Sequence, residues 1–497
     1  MTRKRESGIL LHPTSLPGPH GLGSLGEEAF RFVDFLAETG QSVWQILPLG
    51  PTGYGDSPYS AFSAFAGNAM LISLEKVTET GDLPPSALEG VSRPEGEADY
   101  GFVYDFKGRM LFRAAHRFSQ SASPERRQAF DEFCAHQAYW LNDYALFRAL
   151  RRHFGERSWL EWPEDIRHRE PAALALWGEE LSEQVFFRKY AQFVFFEQWF
   201  ALKRYANQQG IRIMGDLPIF IALDSVDVWA NARLFYLDEE NRPILVAGVP
   251  PDYFSETGQR WGNPMYRWER MAEQGFSWWM ARFRWNLAQT DMVRIDHFRG
   301  FESCWAIPAE EETAVNGQWM PVPGEALFQA LLETLGEAPV VAEDLGLITP
   351  QVEALRDRFG FPGMKVLQFA FGSGPDNPYL PHNLVRNCVV YTGTHDNDTT
   401  LGWWRSLKAQ ERREVLAYLG STGENMPWDL IRPAMASVAD LCILPLQDIL
   451  GLNGGARMNT PGAGDSNWRW RFLPGALGSR VRSRLAEMTR IFGRKPA

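Results

Sequence analysis

The ten residues MVRIDHFRGF, 292–301, pass from apolar, β-prone side chains into a cluster of ionisable ones. Met292, Val293 and Ile295 read as a strand, and Arg294, Asp296, His297 and Arg299 gather at its end. Strand side chains alternate between faces, so Arg294 and Asp296 share one face while Ile295 takes the other. A neighbouring guanidinium favours the ionised carboxylate, the state a nucleophile needs. The decapeptide alone leaves two readings open, an ordinary ion pair at a strand end or part of a catalytic site.

Working outward, similar apolar runs ending in polar residues recur along the chain. They are GILLH (8–12), SVWQILPLGP (42–51), RIMGDLPIFI (212–221), APVVAEDLG (338–346), MKVLQFAF (364–371), CVVYTGTHDND (388–398) and CILPLQDILGL (442–452). Helical patterns with apolar spacing of three and four fall between them, among them EEAFRFVDFLAETG, FEQWFALKRYANQQG, SWWMARFRWNLAQT and EALFQALLETLG. Eight strands alternating with helices predict an α/β protein, a (β/α)8 TIM barrel, over a doubly wound sheet. Neither a strand–GxGxxG–helix unit nor a P-loop supports a nucleotide fold. The expected organisation is one barrel domain over 1–497 with mainly helical insertions. One spans about 71–204 after the second strand, and a loop and hairpin segment spans about 222–275 after the third. Within the latter, LFYLDEENRPILVAG reads as a hairpin whose acidic turn is solvated.

Composition narrows the partners. A formal charge of −11 argues against nucleic acid or an anionic membrane surface and leaves neutral substrates open. Cys134, Cys304, Cys388 and Cys442 form no CxxC or Cys/His cluster, which reads as free thiols in a reducing compartment. The apolar stretch in MTRKRESGILLHPTS is too short for a signal peptide or a span, so a cytoplasmic location is expected. Of 19 Trp and 33 Phe, several lie in Gly/Pro-rich loops, where flat apolar faces can stack on a ligand.

Barrel active sites form at the C-terminal strand ends. Those ends carry His12, Asp216, Arg294 with Asp296, Glu343 with Asp344, His395 with Asp396, and Gln447 with Asp448. Converging carboxylates without Cys/His ligands fit glycosyl chemistry or a magnesium-type oxygen site. For the former, Asp296 beside Arg294 is the ionised member. Glu343 follows Val340-Val341-Ala342, an apolar setting that raises a carboxyl pKa toward that of a general acid, and Asp344 faces away by parity. A sugar-binding barrel without turnover would lack a carboxylate at 296 or 343. An enolase-type magnesium enzyme would need a basic catalytic Lys or His, and no suitable Lys ends a strand.

The strings LLHPTSLPGPHGLGSLG, WQILPLGPTGYGDSPYSAFSAFAGN, GDLPIFI, MVRIDHFRGF, VVAEDLG and YTGTHDNDT occur in the order seen in the 4-α-glucanotransferases. The chain thus resembles the amylomaltases, or disproportionating enzymes, of glycoside hydrolase family 77 in the α-amylase clan, from about Gly8 to its end. The resemblance implies a retaining transferase moving segments of α-1,4-glucan to acceptor sugars, with α-glucan donor and acceptor as its partners, no cofactor and no metal. It implies Asp296 as nucleophile, Glu343 as general acid/base and Asp396 as transition-state stabiliser. Asp216, Arg294 and His395 fall on sugar-binding positions, with Ser57 and Tyr59 in a loop near the same sugar. Tyr253, Phe254 and Trp261 fall in a loop over the cleft, and Asn467 at its other edge. Tyr54 and Phe369 read equally well as packing residues, His12 as a satisfied hydrogen-bonding residue, Trp468 and Trp470 as anchors of the last loop, and His297, on the opposite parity to Asp296, as structural.

Overall fold

The computed structural model describes residues 5–93, 95–251, 255–463 and 466–495, and for Tyr54 the backbone alone. Twelve strands are found among them: β1 (Glu6–Leu10), β2 (Val43–Gln45), β3 (Arg212–Pro218), β4 (Leu245–Val249), β5 (Gln259–Pro264), β6 (Met292–Asp296), β7 (Ser303–Pro308), β8 (Gln318–Pro321), β9 (Val340–Ala342), β10 (Gly363–Val366), β11 (Cys388–Tyr391) and β12 (Leu441–Pro445). Eight of them close into a parallel barrel in the order β1-β12-β11-β10-β9-β6-β3-β2. These are the eight runs expected from the sequence, trimmed to three to seven residues because their polar tails form the loops above the barrel.

Alternation explains the near-continuous apolar runs. Val293 and Ile295 of β6 face outward and pack among the surrounding helices, whereas Met292 joins the barrel interior. Val389 and Tyr391 likewise point in, while Cys388 and Val390 point out. Both faces of a barrel strand are buried, so both select apolar residues. The functional polar side chains Asp216, Arg294 and Asp296 lie at or near the C-terminal ends of β3 and β6, where the inner layer opens at the top. In register, Asp216 lies beside Arg294 and Ile295 beside Ala342, which brings Asp216, Arg294, Asp296 and Glu343 together on three adjacent strands.

The segment between β2 and β3 is helical. Its last helix, Ser182–Gln208, runs without a break into the stretch FEQWFALKRYANQQG that faces the barrel. Aromatics cover it on almost every side because it lies between the barrel and the outer helices; Phe187, Tyr190, Phe193, Phe195, Phe196 and Trp199 are all buried. Two of its glutamines act as surrogate strand partners for the β2 loop. Gln192 accepts from Gly67 N (2.7 Å) and donates to Gly67 O (2.8 Å), and Gln198 does the same at Ser73 (2.8 and 3.0 Å). Gly67 must be glycine here, since a Cβ would fall 2.0 Å from the Phe195 ring.

The second sheet is larger than the expected hairpin. It is four-stranded and antiparallel, ordered β5-β4-β7-β8, and draws strands from both the β3–β6 and the β6–β9 connections. Non-local pairing of this kind leaves no signature in either segment alone. Within LFYLDEENRPILVAG the turn is closed by one bridge, Leu237 to Pro243, and Phe235 makes a second to Tyr266 before β4 begins. Its acidic turn is tied to Arg242, which bonds Asp238 (2.9 Å) and Glu240 (2.7 Å). Among the described residues no cluster of His, Cys, Asp and Glu could hold a metal ion, and no helix is long and apolar enough to cross a membrane.

Candidate active site

A cleft of about 520 Å3 opens over the C-terminal end of the barrel, bordered by Ser57, Tyr59, Trp261, Arg294, Asp296, Glu343, His395, Asp396 and Asn467. Beneath it sits a buried ion-pair cluster. Arg294 donates from Nε (3.0 Å) and Nη2 (2.8 Å) to Asp216 Oδ2 and from Nη2 to Asp296 Oδ1 (2.8 Å). The Tyr59 hydroxyl donates to the same Asp216 oxygen at 2.7 Å. Burial works against the charged guanidinium, yet Asp216, Tyr59, Asp296 and Glu343 hold its pKa well above the ordinary value, so Arg294 is a fixed positive charge. Burial pushes the Asp216 carboxyl up and Arg294 pulls it back. Asp216 is fully enclosed, with side-chain exposure of 0%, whereas Asp296 is 31% exposed. Asp216 therefore borders a smaller inner cavity and not the main cleft; it acts on Arg294 from below.

Glu343 is anchored differently. It follows β9, and its carboxylate accepts from the backbone N–H groups of His297 (2.6 Å) and Leu345 (3.1 Å). The first bond requires a sharp turn directly after Asp296, and His297 supplies it with φ of +51°, a left-handed conformation uncommon outside glycine. Burial, then the negative charge of Asp296, raises the Glu343 pKa to about 8, with Arg294 and the two N–H groups opposing. At neutral pH Glu343 is an acid. Asp344 turns the other way, as parity predicts, accepting from Met364 N (2.7 Å) and pairing with Arg356.

The β11 end contributes His395 and Asp396. Tyr59 lies flat on His395, with ring centroids 5.1 Å apart and planes 11° apart, and Trp468 closes on both rings. Trp468 is thus part of the cleft wall as well as an anchor for its loop. His297 also lines the cleft, its ring meeting Trp261 edge-on at 4.9 Å; burial lowers its pKa to about 4 and keeps it neutral. His12 departs from expectation. It is buried, its Nδ1 has no hydrogen-bond partner among the described residues, and burial followed by the nearby His395 lowers its pKa to about 3.

Of the loop residues, Ser57 and Trp261 lie in the cleft wall, Trp261 projecting from β5 of the second sheet. Tyr253 and Phe254 lie outside the described residues. Asn467 borders the cleft, but its amide is engaged within its own loop, bonded to Thr460 N and O and to Ala463 O. Asn459 and Arg457 are missed by sequence reasoning. Asn459 donates to Asp396 Oδ1 at 2.6 Å, and Arg457 donates to the backbone oxygens of Asn459 and Asp396. Asn459 opens the cleft-edge string NTPGAGDSNWRWRF, yet nothing in that string singles it out over Asn467.

Comparison with known proteins identifies the family. Residues 11–475 match the family model of glycoside hydrolase family 77, described as 4-alpha-glucanotransferase. The chain is 54% identical to a 4-alpha-glucanotransferase of Thermus thermophilus, over 98% of this chain and 99% of that one. It is 52% identical to a 4-alpha-glucanotransferase of Synechocystis sp., over 100% and 99%. The solved amylomaltase from Streptococcus agalactiae in complex with acarbose superposes with a TM-score of 0.96 at 39% identity, covering 99% of this chain and 100% of that one.

Proposed function

The chain belongs to the 4-alpha-glucanotransferase family, glycoside hydrolase family 77, and we propose that it performs this transfer with Asp296 as nucleophile, Glu343 as general acid and base, and Asp396 as transition-state stabiliser. Asp296 attacks the anomeric carbon of an α-1,4-glucan as the glycosidic C–O bond breaks, and Glu343 gives its proton to the departing 4-oxygen. The acceptor's 4-hydroxyl then surrenders its proton to Glu343 and attacks the same carbon, releasing Asp296. Two inversions leave the α configuration unchanged.

One observation carries the division of labour: Glu343 is held at about 8 while Asp296 touches the Arg294 guanidinium. A carboxyl that holds its proton takes the acid role and leaves the nucleophile role to the neighbour paired with a guanidinium. The same pair supports the second step. Once Asp296 is esterified its charge is gone, and with it one of the two influences raising Glu343, which is then poised as a base. Asp396 lies beside His395 and lines the cleft, which supports a role in meeting positive charge developing on the sugar ring. Tyr59, His395, Arg294 and Ser57 serve the sugar at the cleavage point, with Trp261 stacking farther along the glucan. A relative's complex with acarbose supports a glucan substrate, and four free cysteines support a cytoplasmic location.

Incubation with maltotriose tests the reading. Glucose plus a ladder of longer maltodextrins is expected, whereas glucose and maltose accumulating alone would make the enzyme a hydrolase. Asp296→Asn should remove both activities, and an unchanged rate would overturn the assignment.

A further inference from the structure

Resting on the role proposed for Asp396, we infer that Asn459 is a positioning residue for the reaction, acting through that carboxylate. Asp396 sits in the loop after β11 with its side chain 44% exposed, so packing does not set its rotamer. The described residues offer its carboxylate two partners, both on one oxygen: Asn459 Nδ2 at 2.6 Å and His395 Nε2 at 3.3 Å from Oδ1. A short amide-to-carboxylate bond is charge-assisted and directional. With Oδ1 held, Oδ2 has no protein partner among the described residues and is left for the substrate.

Asn459 is itself fixed at both ends. Its N–H donates to His395 O (3.1 Å), and its carbonyl accepts from Arg457 Nε (2.7 Å), whose Nη2 also reaches Asp396 O. The segment after β12 thereby grips the β11 loop through backbone and side chain together. Thr460 to Ala463, which follow at once, form the cleft rim. Holding a reacting group within a fraction of an ångström is worth up to about a hundredfold in rate.

The test is steady-state kinetics of Asn459→Ala on maltotriose and on maltosyl fluoride, whose leaving group needs little protonation. The expected result is a kcat lowered about 10- to 100-fold with KM within about threefold. The loss should be equal on the fluoride, with an unshifted alkaline limb in the pH profile. In an Asp396→Asn background, Asn459→Ala should add no further loss. If Asn459→Ala fails to fold, as judged by thermal unfolding, Asn459→Ser carries the same expectation. A kcat within about twofold of the parent, a loss that vanishes on the fluoride, or losses that multiply in the double variant would each overturn the inference. Full activity in Asp396→Asn alone would instead remove the role of Asp396 on which it rests.

Discussion

Replacing Glu343 with Gln should stabilise the protein at alkaline pH while abolishing transfer. The folded-state pKa of about 8 lies above the ordinary value of 4.5, chiefly through burial and then the charge of Asp296. A carboxyl raised in this way holds its proton in the folded state at pH values where the unfolded chain has lost it. Stability is therefore highest below pH 4.5 and falls as pH rises toward 8, beyond which the decline from this group stops. The full span corresponds to about 5 kcal/mol; because the carboxyl opens onto the cleft, screening reduces it to about 2–3 kcal/mol. Gln keeps the shape, carries no charge and does not titrate. Urea unfolding at pH 6 and pH 9 should show the parent losing stability across that interval by about 1–1.5 kcal/mol more than Glu343→Gln, since a little over half of the span lies there. Parallel declines in the two proteins would refute the placement of Glu343 as a buried, proton-holding acid.

Three further outcomes follow from the same contacts. Asp296→Asn removes the second influence that raises Glu343, so a carbon-13 titration of the Glu343 carboxyl should move to lower pH; no movement would separate the two groups electrostatically. Tyr59→Phe deletes the 2.7 Å bond to Asp216 Oδ2 and the 3.1 Å bond from Arg294 Nη2 but leaves both Arg294–Asp216 bonds, and should cost about 1–3 kcal/mol in denaturant unfolding. Stability equal to the parent would show that hydroxyl to be dispensable. Gly67→Ala drives a methyl into the Phe195 ring and should lower stability by about 1–3 kcal/mol with slower transfer, since the same loop carries Ser57 and Tyr59; a Tm within a degree of the parent would mean that the helix yields without cost.

The sequence by itself determined the eight barrel strands, their order with the helices, and the shared face of Arg294 and Asp296. Each is a local property: a two-residue period, an apolar run, a polar strand end. It also pointed to Glu343 as the acid, since the apolar residues preceding it lie in the same strand. What only the tertiary structure decided are relations between distant segments. The second sheet pairs strands from two separate connections, and neither reads as a sheet alone. Asp216 sits below Arg294 and outside the main cleft because the β3–β6 register puts it there. Asn467 braces its own loop while Asn459, eight positions earlier, holds Asp396, a choice set by how the segment after β12 folds over β11. Arg294 belongs to the same lesson. Parity put it beside Asp296, but its role as the shared cation of Asp216, Tyr59 and Asp296 exists only once three strands close side by side.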